Sequence, residues 1–299
     1  MTTSNTSPAS GYLYTLQAFV TWGLLPVYWK WLNHLPAMEI LAHRIFWSLV
    51  FVLLFLAGRG QLHLGPIFRK RKAFWSLVLT GCLVGSNWGV YIYAVNTNHI
   101  VEASLGYYIT PLVNVALGIL FLKERLNRLQ LIALFLAIVA VAYLTVDLGK
   151  FPWISIYLAI SFGLYGLIKK MSGVEPLPAL AIETLVLTPF AFGYIVWGMW
   201  TGQGHLFTDS RLTDLLLILA GVVTTLPLFW FGVGAKRIPL SSVGFMQYIA
   251  PTIMLLLGIF LYNEIFPVQK QVAFGFIWMA LILYSYSVVK KYRQNKHKA

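Results

Sequence analysis

EASLGYYITPLVNVALGILFLKE at residues 102–124 and SVGFMQYIAPTIMLLLGIFLYNE at residues 242–264 align without a gap, 140 positions apart. Tyr108-Ile109-Thr110-Pro111 stands opposite Tyr248-Ile249-Ala250-Pro251, Gly118-Ile119 opposite Gly258-Ile259, and Glu124 opposite Glu264. The same offset pairs Gly23-Leu24 with Gly163-Leu164 and Lys30 with Lys170. The echo therefore spans the chain, and both copies are apolar enough to sit in a bilayer.

The composition agrees. Of 299 residues 59% are hydrophobic and 10% charged, with a mean hydropathy of +0.75. A soluble chain carries about 25% charged residues, so the apolar side chains here point to lipid rather than to a water-excluded core. The net charge of +13 sits in short basic clusters between apolar runs. That pattern anchors cytoplasmic loops of a membrane protein and argues against a nucleic-acid partner. A single cysteine, Cys82, excludes an internal disulfide framework. Met1 to Ser10 contain no Lys or Arg, a poor start for a signal peptide, so the first apolar run is expected to persist as a helix.

A spanning helix needs about 20 mainly apolar residues. This criterion predicts an all-α polytopic membrane protein with ten spans: 11–32, 38–57, 73–96, 100–122, 127–146, 152–169, 178–200, 212–235, 240–262 and 268–290. Of the 22 Lys and Arg, 17 fall on the side of the N-terminus, Lys169 and Lys170 among them. Lys30, Lys150, Arg211 and Lys270 fall on the other side, and Arg44 lies inside a span. Because Lys and Arg resist translocation, both termini are expected in the cytoplasm, in a bacterial plasma (inner) membrane.

Five spans per half is an odd number, so the second copy must enter the membrane from the opposite side. The expected units are a first repeat at 11–147, an inverted repeat at 152–290 and a basic cytoplasmic tail at 291–299. Inverted halves can exchange conformations, which supplies outward-open and inward-open states from one sequence. Pro111 and Pro251, matched near the centres of spans four and nine, are hinge candidates beside an interior space; packing kinks are the alternative.

Particular motifs resemble one family. Glu39-Ile-Leu-Ala-His43-Arg44, Asn87-Trp88, Ala94-Val95-Asn96, Glu102-Ala-Ser-Leu-Gly-Tyr107 and Pro111-Leu-Val-Asn114 resemble the RarD subfamily of the EamA-type drug/metabolite transporters. Gly221-Val-Val-Thr-Thr225 and Gly244-Phe-Met-Gln247-Tyr248-Ile-Ala-Pro251 do so as well. The resemblance covers about residues 11–290. It implies a permease whose spans one to four and six to nine surround a central cavity, with spans five and ten peripheral. It also implies efflux of a small metabolite or drug.

Charges inside a span cost on the order of 3 kcal/mol each, so each needs an explanation. Arg44 is a candidate anchor for a substrate carboxylate or phosphate; a permanent ion pair with Glu39, Glu102 or Glu183 is the competing reading. His43 shares a helix face with Glu39, and it either titrates during transport or is a hydrogen-bonded structural group. Glu39, His43, Glu102 and Glu183 are the candidates for proton coupling, although Glu102 near a helix start also suits the helix dipole. Trp22, Asn87, Trp88, Tyr91, Tyr107, Tyr108, Gln247 and Tyr248, with Arg44 and His43, are the candidate substrate-binding residues. Aromatic faces would hold a flat ligand while amides and hydroxyls orient it. Trp29, Trp31, Trp197 and Trp200 are expected at the lipid interface. Gly81, Gly85 and Gly89 form a stripe suited to close helix packing.

Glu124 and Glu264 are expected to cap the turn to the next helix and to pair with local Lys or Arg. No zinc-type HExxH, GxSxG elbow or nucleotide-binding loop occurs. An enzyme, a cofactor or a metal is therefore not expected, and energy must come from gradients or exchange. The remaining rivals are a passive channel, or an importer or exchanger of the same class of solute. The expected partners are a small-molecule substrate and lipid, with a homodimer through the peripheral helices left open.

Overall fold

The computed structural model describes residues 8–263 and 267–296, and among these every regular element is a helix. In chain order they are α1 (Pro8–Lys30), α2 (Ala37–Gly58), the short α3 (Gly65–Arg69), α4 (Arg71–Asn96), α5 (Ile100–Leu122) and α6 (Arg128–Leu148). There follow α7 (Trp153–Met171), α8 (Pro176–Thr201), α9 (Arg211–Arg237), α10 (Leu240–Gln247), α11 (Ile249–Tyr262) and α12 (Val268–Lys296). Glu264 and residues 297–299 of the tail lie outside the described residues.

Local chemistry sets the ends. Asn127 and Gln130 form a reciprocal capping box at the start of α6, and Ser210 caps α9 through the Thr213 amide. Pro176 opens α8, where its missing N–H costs nothing. At the other ends Lys123, Gly149, Gly202 and Asn263 adopt the left-handed conformation that terminates a helix.

Among the described residues nine segments are long and apolar enough to cross a membrane, Leu240–Tyr262 counting as one. The first helix is not among them. Its 23 residues suffice in length, but Ser10, Thr15, Gln17 and Thr21 dilute its apolar character. It is nevertheless seated within the bundle, packed on α9 and α11.

The packing is interleaved. α2 lies on α8 and α9, α4 on α7 and α8, and α5 on α7 and α10. α6 and α12 pack on each other, with Ala133, Ala137 and Ala140 in one buried cluster with Ala273, Ile277 and Ala280. Large apolar side chains such as Leu120, Phe135, Phe190 and Phe260 remain exposed, as a lipid-facing surface requires.

The matched prolines behave differently. Pro251 deprives the Gln247 carbonyl of its helical donor, and the helix breaks at Tyr248 between α10 and α11. Pro111 leaves α5 continuous, and the Thr110 hydroxyl donates back to the Gly106 carbonyl at 2.7 Å. The Pro111 carbonyl packs on Gly244 so tightly that a Cβ there would lie 2.6 Å from it. Tyr248 donates to the Tyr108 carbonyl at 3.1 Å, joining two residues related by the sequence offset.

Glu124 reaches across the bundle rather than to its own turn. Its carboxylate oxygens accept the amides of Leu240 and Ser241 at 2.6 and 2.9 Å, satisfying the N-terminus of α10. Lys170 does the converse for α9, donating to the carbonyls of Ala235 and Ile238 at 2.7 and 2.6 Å. Lys169, expected with the loop lysines, is fully buried.

Candidate functional site

A cavity of about 230 Å³ lies between α1, α2, α4, α5, α7 and the α10–α11 break. It sits toward the end of the bundle opposite the basic loops. Trp29 near the end of α1, Ala103 near the start of α5 and Leu158 near the start of α7 all line it. Toward the basic end, Phe162, Tyr165 and Phe231 stack with ring centroids 5.4–5.9 Å apart. Tyr165 and Phe231 are fully buried there, so the aromatic stack closes the floor.

Among the described residues Arg44 is the charged one on the cavity wall. Its guanidinium carbon lies 4.4 Å from the Trp88 ring centroid and 5.2 Å from that of Trp29, so the cation rests against two indoles. Its Nε donates to the Thr224 hydroxyl at 3.1 Å. The carboxylates expected to compete for it are engaged elsewhere. Glu39 binds His205, Glu102 pairs with Lys150 and Glu183 with Lys169. Among the described residues no carboxylate lies within ion-pairing distance of Arg44. Among the described residues its two terminal nitrogens make no hydrogen bond, and they are free to donate into the cavity that Arg44 lines with Tyr91 and Tyr107. That donor edge matches a planar carboxylate.

The rest of the wall is aromatic and amide. Trp22, Asn87, Trp88, Tyr91, Tyr107, Gln247 and Pro251 line the cavity with Arg44. Asn87 is held by donating to the Leu158 carbonyl and the Ser161 hydroxyl, both at 2.9 Å. Gln247 accepts from Asn114 at 2.8 Å through its amide oxygen, which leaves its NH₂ group available. The Tyr91 and Tyr107 rings meet edge to face at 6.1 Å. Residues related by the offset of 140 meet on this wall: Trp22 with Phe162, Trp88 with Leu228, Tyr107 with Gln247, and Thr110 with Ala250.

The model of the EamA-like transporter family matches residues 9–146. The uncharacterized transporter YojE of Bacillus subtilis is 48% identical over 293 residues, covering 96% of this chain and 97% of that one. This chain belongs to the RarD branch of the EamA-like transporter family. Protein RarD of Escherichia coli is 41% identical over 275 residues, covering 92% and 93% of the two chains. A crystal structure superposes on 95% of this chain and 99% of its own with a TM-score of 0.73 at 16% identity, a likeness of fold alone. The family and its relatives make this chain a transporter and not an enzyme.

Several candidate residues of this RarD-type transporter lie away from the cavity. Tyr108 packs edge to face on Phe274 at 5.5 Å, in the cluster that joins α5 to α12, and Tyr248 is fully buried in the same cluster. Pro111 is taken up by the contact with Gly244. His43 faces a separate space of about 70 Å³, shared with Glu39 and Tyr194. There Glu39 accepts the His205 amide at 2.7 Å and meets its Nδ1 at 2.7 Å, while His43 Nε2 stands 4.0 Å away. The Nδ1 of His43 is buried without a partner. In the adjoining loop Asp209 contacts Thr213 at 2.7 Å and His34 at 3.1 Å, and these two hydrogen bonds hold its carboxyl below its usual range.

Glu183 is buried in a network: Lys169 Nζ at 2.7 Å, the Tyr165 hydroxyl at 3.3 Å and the Thr80 hydroxyl at 3.0 Å. Glu102 pairs with Lys150, and its other oxygen is buried without a partner.

Sequence reasoning missed Trp29, placed at the lipid interface but found beneath Arg44, and also Phe162 and His205. Two signals were available. Trp22, Pro26 and Trp29 share a helix face by their spacing, and Phe162 is the offset partner of Trp22. Trp31 and Trp200 are exposed, as interface anchors would be. Gly81 and Gly85 approach Glu183 and Leu187 of α8, while Gly89 meets open space.

Proposed function

We propose that this chain is a secondary carrier of a small organic anion with a flat apolar body, working by alternating access in a bacterial inner membrane. The observation that carries the reading is the free donor edge of Arg44 beside two indoles, on a wall with no carboxylate among the described residues. A cavity of about 230 Å³ suits a ligand below ordinary drug size. Aromatic faces would take its body, while Asn87, Tyr91, Tyr107 and Gln247 would orient it.

In this reading α1 is the tenth span, both termini are cytoplasmic, and the cavity opens outward. The charge distribution and the offset of 140 support an inverted pair of repeats, because the helix contacts recur in matched form. α4 meets α7 as α1 meets α9, and α5 meets α7 as α1 meets α11. The aromatic floor speaks for a carrier over a channel, since a continuous pore needs an open path beneath the ligand. Pro251 at the break serves as a hinge, with Pro111 as its packed counterpart.

Efflux is the direction the RarD resemblance implies. If transport is proton-coupled, Glu39 and His43 are the favoured carriers, because Glu102 and Glu183 each hold a lysine whereas Glu39 and His43 share one space with a histidine as the further partner. A thermal-shift screen of purified protein against aromatic and aliphatic carboxylates, phosphates, amino acids and neutral antibiotics tests the ligand class. Stabilisation by neutral compounds and none by anions would reject it. Counterflow of a labelled hit in proteoliposomes separates carrier from channel, and a rate indifferent to imposed pH gradients rejects proton coupling.

A further inference from the structure

We propose that the buried cluster of Tyr165, Lys169 and Phe231 is the wall of a second, inward-facing form of the site, in which Lys169 replaces Arg44 as the anchor of the anion. The inference rests on the alternating-access reading above. At the offset of 140, Tyr165 corresponds to Leu25, Lys169 to Trp29 and Phe231 to Tyr91. Leu25, Trp29 and Tyr91 line the present cavity, whereas their counterparts are fully buried toward the basic end.

The two ends of the bundle differ in the way an exchange of conformations requires. Lys170 ties α7 to the end of α9 through the carbonyls of Ala235 and Ile238. Its counterpart Lys30 instead lies over the Tyr262 ring, 3.6 Å from the centroid. α7 packs on α9, while the corresponding α1 and α4 face each other across the cavity. If the halves swap shapes, the basic end opens. Trp22, Trp88, Tyr107 and Thr110 stay on the wall, because their counterparts already line it.

The buried ion pair then acquires a purpose. An apolar pair of similar volume would stabilise a permanently closed bundle at least as well. The counterpart of Lys169 lines the cavity, but the counterpart of Glu183 is His43, which does not. Opening therefore parts Lys169 from Glu183 and turns its ammonium toward the ligand. A carboxylate or other organic anion, released by Arg44, would offset the lost partner of Lys169. The cation is kept in both forms but changes helix, from α2 outward to α7 inward.

Thiol labelling in a Cys82→Ser background tests this, using impermeant methanethiosulfonates that carry either a sulfonate or a trimethylammonium. In inside-out vesicles Tyr165→Cys and Phe231→Cys should react at about 0.1–10% of the rate of an open thiol, the share of time a minor state is populated. The sulfonate reagent should be favoured relative to its intrinsic reactivity. In right-side-out vesicles Leu25→Cys should react and the other two should not. Reaction at Leu25→Cys alone overturns the inward site and leaves the outward cavity standing. Reaction of Leu25→Cys only from the inside overturns the orientation on which both readings depend. Reaction at Tyr165→Cys without a preference for the sulfonate overturns the role of Lys169. Should these variants fail to accumulate, hydrogen exchange on the unmutated protein in nanodiscs decides. Amides 161–170 as protected as the slowest in the chain overturn the proposal; faster exchange supports it.

Discussion

Replacing Arg44 by glutamine removes the donor edge while leaving a polar side chain for Thr224 to meet. In the native cavity the guanidinium is held by the Nε bond and by contact with two indoles, so it needs little reorganisation to receive a carboxylate. Hydrogen bonds to a charged group contribute about 1.5–3 kcal/mol, so Arg44→Gln should weaken binding of 3-phenylpropanoate by about 10- to 150-fold. Arg44→Lys keeps the charge but loses the fork and the planar stack, and a loss of about tenfold is expected. Titration calorimetry on purified protein, with the acid and with 3-phenylpropanamide, separates charge recognition from shape. The amide should bind the native protein and Arg44→Gln equally, and the melting temperature of the unliganded variant should stay close to native. Equal losses for acid and amide would refute the anchoring argument, as would no loss for either.

Glu124→Ala strands the amides of Leu240 and Ser241, and loss of a helix cap costs about 0.5–2 kcal/mol; thermal unfolding in detergent should show it, with Glu124→Gln milder. Lys169→Met leaves Glu183 buried without its cation, a loss of about 3–5 kcal/mol, whereas Lys169→Met with Glu183→Met should recover most of it. If the double variant is no more stable than the single one, the unpaired Glu183 carboxylate is not what destabilises Lys169→Met. The Asp209 carboxyl titrates below its ordinary 3.8 because Thr213 and then His34 bond to it. A lowered native pKa gives stability that is complete above that ordinary value and is lost as pH falls through the native one. Melting temperature should therefore show no Asp209-dependent change between about pH 7 and 5 and a decline at lower pH that Asp209→Asn reduces.

Helix positions were legible because apolar length and turn residues act locally: α5 ends at Lys123 and α9 starts after Ser210 for reasons visible within a few residues. Arg44 was legible as an anomaly, since a cation within an apolar run demands a partner. The identity of that partner was not legible, because it depends on which helices meet. Trp29 and Tyr108 show why. Each is an aromatic residue on an apolar helix, and only packing decides that one faces the cavity and the other Phe274. Lys169 was misplaced for a related reason. Near a span end a lysine ordinarily reaches water, and here Glu183 on the next helix draws it inward. The reach of Glu124 to α10 was hidden as well, since nothing near residue 124 announces an acceptor needed at Leu240.

The interleaving of the helices bears on how the protein is made. α1 rests on α9 and α11, and Gly11 touches Arg237 and Ile238, residues synthesised long after it. A half-finished chain thus carries a weakly apolar first helix whose partners do not yet exist. That helix must wait at the membrane until translation is nearly complete. A chain stopped after residue 150 would lack the Thr224 hydroxyl that holds Arg44 and the His205 that binds Glu39. Such an intermediate is a natural target for membrane quality control. The first helix to be made is thus among the last to find its partners.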